Sequence, residues 1–175
     1  MRSRTEVATP IGLLCFVFDD EALGVDAAGN TCRGAVTWSR FGKRGPVPGD
    51  AVHVPAVDAT GDLANIVRAV QRWVAGDANA LDPVSVLQPG SSFRQQVWQA
   101  LRRVPGGDVV SYAELAAMAG HPQAVRAVGT TMALNSVAPF VPCHRVVRSD
   151  GSVGHYAYGS SKKERLLELE GVLFE

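Results

Sequence analysis

The chain reads as an α/β protein of the α+β kind, with strands gathered in its first half and helices in its second. Three observations predict this. Short, nearly uninterrupted apolar runs occur at residues 11–18 (IGLLCFVF), 22–25 (ALGV) and 34–38 (GAVTW), the length and composition of strands. One amphipathic stretch follows, with Leu63, Ile66, Val67, Val70 and Val74 at helical spacing behind Asp62 and ahead of Gly76. Beyond residue 91 helix-start and helix-stop residues become dense.

Taken in order, Asp19, Asp20 and Glu21 interrupt the first apolar run and split it into two predicted strands. The Gly- and Pro-rich stretch 41–50 (FGKRGPVPGD) predicts a loop. Residues 77–92 carry two prolines and no period, so the domain division is drawn as 1–80, a linker over 81–91, and 92–175. In the second half, Ser92 with Gln95 reads as a capping box ahead of a face formed by Phe93, Val97, Leu101 and Val104, ended by Pro105, Gly106 and Gly107. Ser111 with Glu114 makes a second box and opens a short helix that Gly120 stops; Pro122 suits the first turn of the next, QAVRAVGTTMALN. Two short helices so joined are a helix-turn-helix candidate. Ser161 with Glu164 reads as a third box, before a helix closed by Gly171.

Length and composition set limits on function. The 175 residues, 46% of them hydrophobic, suffice for a proper core. No run approaches the roughly 20 apolar residues of a membrane span, and the opening MRSRTEVATPIG lacks a signal-peptide core. A cytoplasmic protein without membrane partners is expected. Formal net charge is zero, but residues 91–163 hold 8 Lys/Arg against 3 Asp/Glu, whereas residues 1–90 hold 8 against 10. The basic second half is compatible with a nucleic-acid partner.

The three cysteines, Cys15, Cys32 and Cys143, are odd in number and far apart, which suits reduced thiols. Their spacing to His53 or His121 matches no standard zinc pattern, so no metal and no cofactor are expected. Cys143 differs from the others. It follows Pro142, which cannot donate to a strand ladder, inside the apolar run APFVPCHRVV, placing a thiol at the edge of a core beside His144 and Arg145. A thiol of pKa near 8.5 becomes a nucleophile only with a base or positive charge nearby. Alone, a Cys-His dipeptide is more often structural.

Six blocks in order alter that balance: Ser111-Tyr112, RAVG at 126–129, Asn135, PCHRVV at 142–147, SDGSVGHY at 149–156 and LLELEG at 166–171. Together they resemble the methylated-DNA:protein-cysteine S-methyltransferases, the O6-alkylguanine repair proteins, from about residue 91 onward. The resemblance implies a ribonuclease-H-like first domain and a winged-helix-like second one. It also implies irreversible transfer of an alkyl group from guanine O6 to Cys143, once per molecule, with thymine O4 left open as a second substrate. By the same resemblance Glu170, His144 and a water relay the thiol's proton, Asn135 is the hinge, and Tyr112 protonates the departing base at N3. Arg126 would fill the stack vacated by the flipped nucleotide, with Ser111, Tyr112, Ala127, Gly129 and Thr130 against double-stranded DNA. Met132, Val146, Val153, Gly154, Tyr156, Ala157 and Tyr158 would line the base pocket. A monomer is expected, with cooperative binding along DNA left open, and nucleoid association when bound.

Two departures stand out. Ala157 replaces a Ser or Arg common in the family, leaving a backbone N–H as the donor to O6. Tyr158 stands where some members have Gly, which implies a poor fit for O6-benzyl groups. Competing readings are an alkylated-DNA-binding module of the alkyltransferase-like type, in which Trp typically replaces the cysteine, a cysteine hydrolase drawing on His53, His121 or His155, and a helix-turn-helix regulator.

Overall fold

The computed structural model describes residues 1–42 and 46–174. Strands β1 (Arg2–Thr9), β2 (Gly12–Val25) and β3 (Thr31–Phe41) form an antiparallel meander, and β4 (Val52–His53) adds parallel to β1, giving the order β3-β2-β1-β4. Helix α1 (Gly61–Val74) packs Leu63, Ile66, Val67, Val70 and Trp73 inward. The second half holds α2 (Ser92–Arg102), β5 (Val110–Ser111), α3 (Tyr112–Met118), α4 (Val125–Ala133), β6 (Val146–Val147) and α5 (Ser160–Leu169), with β5 and β6 paired in parallel.

The strand predictions need two corrections. Residues 11–18 and 22–25 belong to one strand, because the acidic interruption is a bulge: pairing with β3 slips between Asp19↔Ala35 and Leu23↔Arg33. Gly34 lies opposite, at φ 83°, where a Cβ would come within 2.9 Å of the Phe18 ring. β1 lies outside the predicted strands, since its buried positions Ser3, Thr5 and Val7 alternate correctly but two of them are polar. Of the predicted loop 41–50, residues 43–45 lie outside the described residues.

Helix starts shift too. Ser91, not Ser92, caps α2, its hydroxyl accepting from the Arg94 N–H, and α5 begins behind Gly159 with no side-chain cap. α4 starts at Val125, because residues 122 and 123 form a turn. The Ser111–Glu114 capping box forms as expected. α3 and α4 pack together across the turn at Gly120, the helix-turn-helix arrangement.

Residues 81–91 are packed rather than free. Leu81, Val84, Ser85 and Gln88 are buried, and Val86 bridges to both Val25 and Val36. The clasp is Arg102, 3% exposed, whose guanidinium donates to Val25 O and Val84 O at 2.7 Å and to Leu81 O at 3.3 Å. Burial lowers its pKa to about 10, so it stays charged at neutral pH. β3 adds a second tie: Ser39 N donates to Ser136 O at 2.9 Å and Ser39 Oγ to Ala138 O at 2.6 Å. One hydrophobic cluster consequently runs through both halves.

Replacing Arg102 by Met would keep its length and leave these carbonyls without a donor. We expect urea denaturation to report a loss of about 3 kcal/mol; an unchanged midpoint would show that the clasp contributes nothing.

Candidate active site

Cys143 opens a tight 3-10 turn, Cys143–Arg145, that Pro142 enters from the apolar run. Its residue is 9% exposed at the floor of a cavity of about 330 Å³ lined by Tyr112, Gly129, Met132, Ala133, Asn135, Ala138, Cys143 and the 155–158 loop. Burial pushes the thiol's pKa up; a hydrogen bond with Asn135 and the charge of Lys163 pull the other way without overcoming it. The resting sulfur is therefore a thiol.

Behind it lies a charge cluster with no exposed side chain. Glu170, at the C-terminal end of α5, receives the Trp73 indole N–H at 2.9 Å and a bidentate pair from Arg145, Nε to Oε2 and Nη2 to Oε1, each at 2.9 Å. His144 Nε2 lies 3.0 Å from Oε1. Burial by itself would raise the Glu170 pKa, but His144 and Arg145 outweigh it and hold the carboxylate well below its usual range. Arg145 also donates to Val104 O at 2.7 Å and Ala78 O at 2.9 Å, fixing the turn that carries the cysteine. His144 Nδ1 is buried with no hydrogen-bond partner among the described residues.

Asn135 is held by both ends of its amide. Nδ2 donates to Val141 O at 2.8 Å, while Oδ1 accepts from Val137 N at 3.2 Å and from Gln88 Nε2 at 3.1 Å. Gln88 Oε1 in turn accepts from Ser136 N at 2.9 Å. Lys163, fully buried, donates to Val146 O and, at 3.2 Å, to His155 O, fastening the 146–155 loop; burial brings its pKa down to about 8.

Most residues expected from the sequence come together. Cys143, Asn135, Tyr112, Met132, Tyr156, Ala157 and Tyr158 line the cavity, and Gly129 joins them from α4. Val146, Val153 and Gly154 do not: Val146 is fully buried in β6, and Gly154 packs against Arg148. Arg126, Ala127 and Thr130 lie exposed on α4, and Ser111 caps α3. Ala133, Ala138 and His155 are lining residues not anticipated. Trp73, Gln88, Arg145 and Lys163 are further site residues that the sequence reading passed over. Only Arg145 carried a signal, as neighbour of the Cys-His pair; Trp73 and Gln88 come from far along the chain. A larger cavity, about 730 Å³, lies between β3 and α1, remote from Cys143. Among the described residues no three His, Cys, Asp or Glu side chains gather to hold a metal.

Comparison with known proteins decides the family. Residues 92–172 match the model of the 6-O-methylguanine DNA methyltransferase DNA-binding domain. The methylated-DNA–protein-cysteine methyltransferase of Shigella flexneri is 33% identical over 175 residues, covering 96% of this chain and 95% of that protein. The chain belongs to the methylated-DNA–protein-cysteine methyltransferase family. The bifunctional transcriptional activator/DNA repair enzyme Ada of Escherichia coli is 53% identical over 81 residues, 46% of this chain and 23% of that protein. For the Salmonella typhimurium methyltransferase the match spans 59% of its length, so the chain spans a quarter to three-fifths of these two relatives. The crystal structure of the Mycobacterium tuberculosis O6-methylguanine methyltransferase, 30% identical, superposes with a TM-score of 0.73 over 97% of this chain and 93% of that one. The mycobacterial OGT in complex with DNA, 28% identical, gives 0.72 over 96% and 92%. The mixed α/β fold, helices following a strand meander, is that of the methyltransferase family. Among the described residues no helix is long and apolar enough to cross a membrane.

The buried carboxylate has a pH consequence. A carboxyl whose folded pKa is depressed adds stability above its unfolded value, near 4.3, and loses it as pH falls toward the folded value. Wild-type stability should therefore decline below about pH 4.5 more steeply than that of Glu170→Gln, measured by denaturant midpoints from pH 7 to pH 3. Parallel profiles would contradict the depressed carboxylate.

Proposed function

We propose that this protein repairs DNA by moving an alkyl group from O6 of guanine in a double-stranded helix to its own Cys143, once per molecule and without a cofactor. The observation that carries this reading is the placement of a buried thiol at the floor of a base-sized cavity, with the Glu170–His144 pair behind it. We assign the parts as follows. The S–C bond forms as the C–O6 bond breaks; the thiol proton passes through a water to His144 Nδ1, and Glu170 stabilises the resulting imidazolium. Guanine departs as an anion and takes a proton at N3 from Tyr112, which solvent restores. Burial raises the Tyr112 pKa, so the phenol holds its proton until the anionic base is beside it.

Asn135 orients the thiol, and Met132, Tyr156, Ala157 and Tyr158 form the pocket walls. O6 lies inside the duplex, so the nucleotide must turn outward, at a cost of a few kcal/mol. Arg126, exposed on α4 beside Ala127, Gly129 and Thr130, would take its place in the stack, with small residues allowing close approach to the minor groove. Ser111 anchors the phosphate side. Residues 92–175 carry DNA binding and transfer, 1–80 support them through the packed segment 81–91, and the site of action is the cytoplasm.

Incubation with a duplex bearing radiolabelled O6-methylguanine tests the reading. One label per protein is expected, lost in Cys143→Ala while DNA binding survives. Binding without transfer would identify a non-repairing module, and repeated turnover a hydrolase; either overturns the proposal. Arg126→Ala should slow transfer from duplex by at least about tenfold yet leave reaction with the free modified base unchanged. Equal slowing on both substrates would refute the role of Arg126.

A further inference from the structure

Tyr158 is one of the two lining residues where this chain departs from the family resemblance, and its support comes from the other half of the molecule. Its ring meets that of Phe41, the last residue of β3, edge-on, with centroids 5.4 Å apart and planes at 85°. On its other side it meets Tyr156, at 5.5 Å and 63°. Phe41 is 2% exposed and does not line the cavity; Tyr158 and Tyr156 do. An aromatic series thus runs from the N-terminal sheet to the wall beside Cys143.

Tyr158 also hydrogen-bonds with the Phe41 backbone, so the end of β3 holds it through main chain as well as ring. It lies between the exposed Ala157 and Gly159, whose φ of 100° precedes α5 and whose surroundings are open. Two positions before Phe41 on the same strand, Ser39 binds Ala138 O, and Ala138 lines the cavity too. The end of β3 accordingly braces two walls. The cavity's 330 Å³ is at the bottom of the range of small-molecule pockets, about 300–1,000 Å³, so the position of one ring in its wall decides what shape it admits.

We propose that Phe41 is a specificity-determining positioning residue: by fixing the Tyr158 ring across the cavity it restricts transfer to small O6-alkyl groups and excludes aryl-sized ones, so that the N-terminal sheet sets the substrate size limit. This rests on the alkyl-transfer reading above. An edge-to-face contact favours one orientation of a ring carried on a loop that ends at Gly159. Phe41→Leu removes the ring contact and retains apolar volume.

The test compares single-turnover alkylation of Cys143 by duplex O6-methylguanine and by O6-benzylguanine, read by intact mass. Tyr158→Gly should raise the benzyl-to-methyl rate ratio at least tenfold. Phe41→Leu should raise it about threefold with the methyl rate within twofold of wild type, and should add nothing in the Tyr158→Gly background. If Phe41→Leu melts without cooperativity, Phe41→Met serves in the same comparison. An unchanged ratio in a folded Phe41 variant overturns the brace, and an unchanged ratio in Tyr158→Gly overturns the gate. Absence of methyl transfer in wild type would instead defeat the underlying reading, a distinguishable result.

Discussion

A single buried carboxylate organises this molecule. Glu170 brings together an indole from α1, an imidazole and a guanidinium from the Cys143 turn, and the end of α5, so three separate stretches of chain meet at two oxygen atoms. An ion buried this deeply is tolerable only when its lone pairs are filled and its charge is matched. Arg145 supplies the matching charge and then uses its remaining N–H groups on Val104 O and Ala78 O. Loss of the carboxylate would leave Arg145 as an uncompensated buried cation, so the catalytic turn and the fold share one electrostatic foundation.

That arrangement has a chemical corollary. Cys143 in the free protein is held protonated by its burial, and the Arg145 guanidinium is already engaged with Glu170. In the proposed mechanism the thiol is activated by removal of its proton, not by standing ionised. Under that proposal the alkylated cysteine has no route back to thiol, and keeping the resting sulfur protonated spares it from small electrophiles. Lys163 contributes positive charge from the other side while it pins the loop that closes the pocket.

The sequence disclosed much of the second half because local chemistry governs it there. Capping residues, stop glycines and the PCHRVV run each act within a few positions, and the Ser111–Glu114 box forms as written. Its failures were of three kinds. Boundaries moved where two candidates for a cap stood side by side, as with Ser91 and Ser92. Partners were missed wherever the partner is distant in the chain: Trp73 reaches Glu170 across 97 positions, and Gln88 reaches Asn135 across 47. Strand β1 was hidden for another reason, since buried Ser3 and Thr5 disguise an inward face as a polar one.

These long-range contacts give the N-terminal sheet its purpose. Trp73 of α1, Gln88, and Ser39 and Phe41 of β3 each touch a different residue of the Cys143 site or its cavity, so the first half braces the second. The claim on which all of this turns is that the buried carboxylate, acting through His144, draws the proton from Cys143. The single-turnover rate of methyl transfer from duplex O6-methylguanine in Glu170→Gln measures it directly. A fall of at least about a hundredfold, with DNA affinity retained, is the result this account requires; transfer at the wild-type rate in a folded Glu170→Gln protein would contradict it.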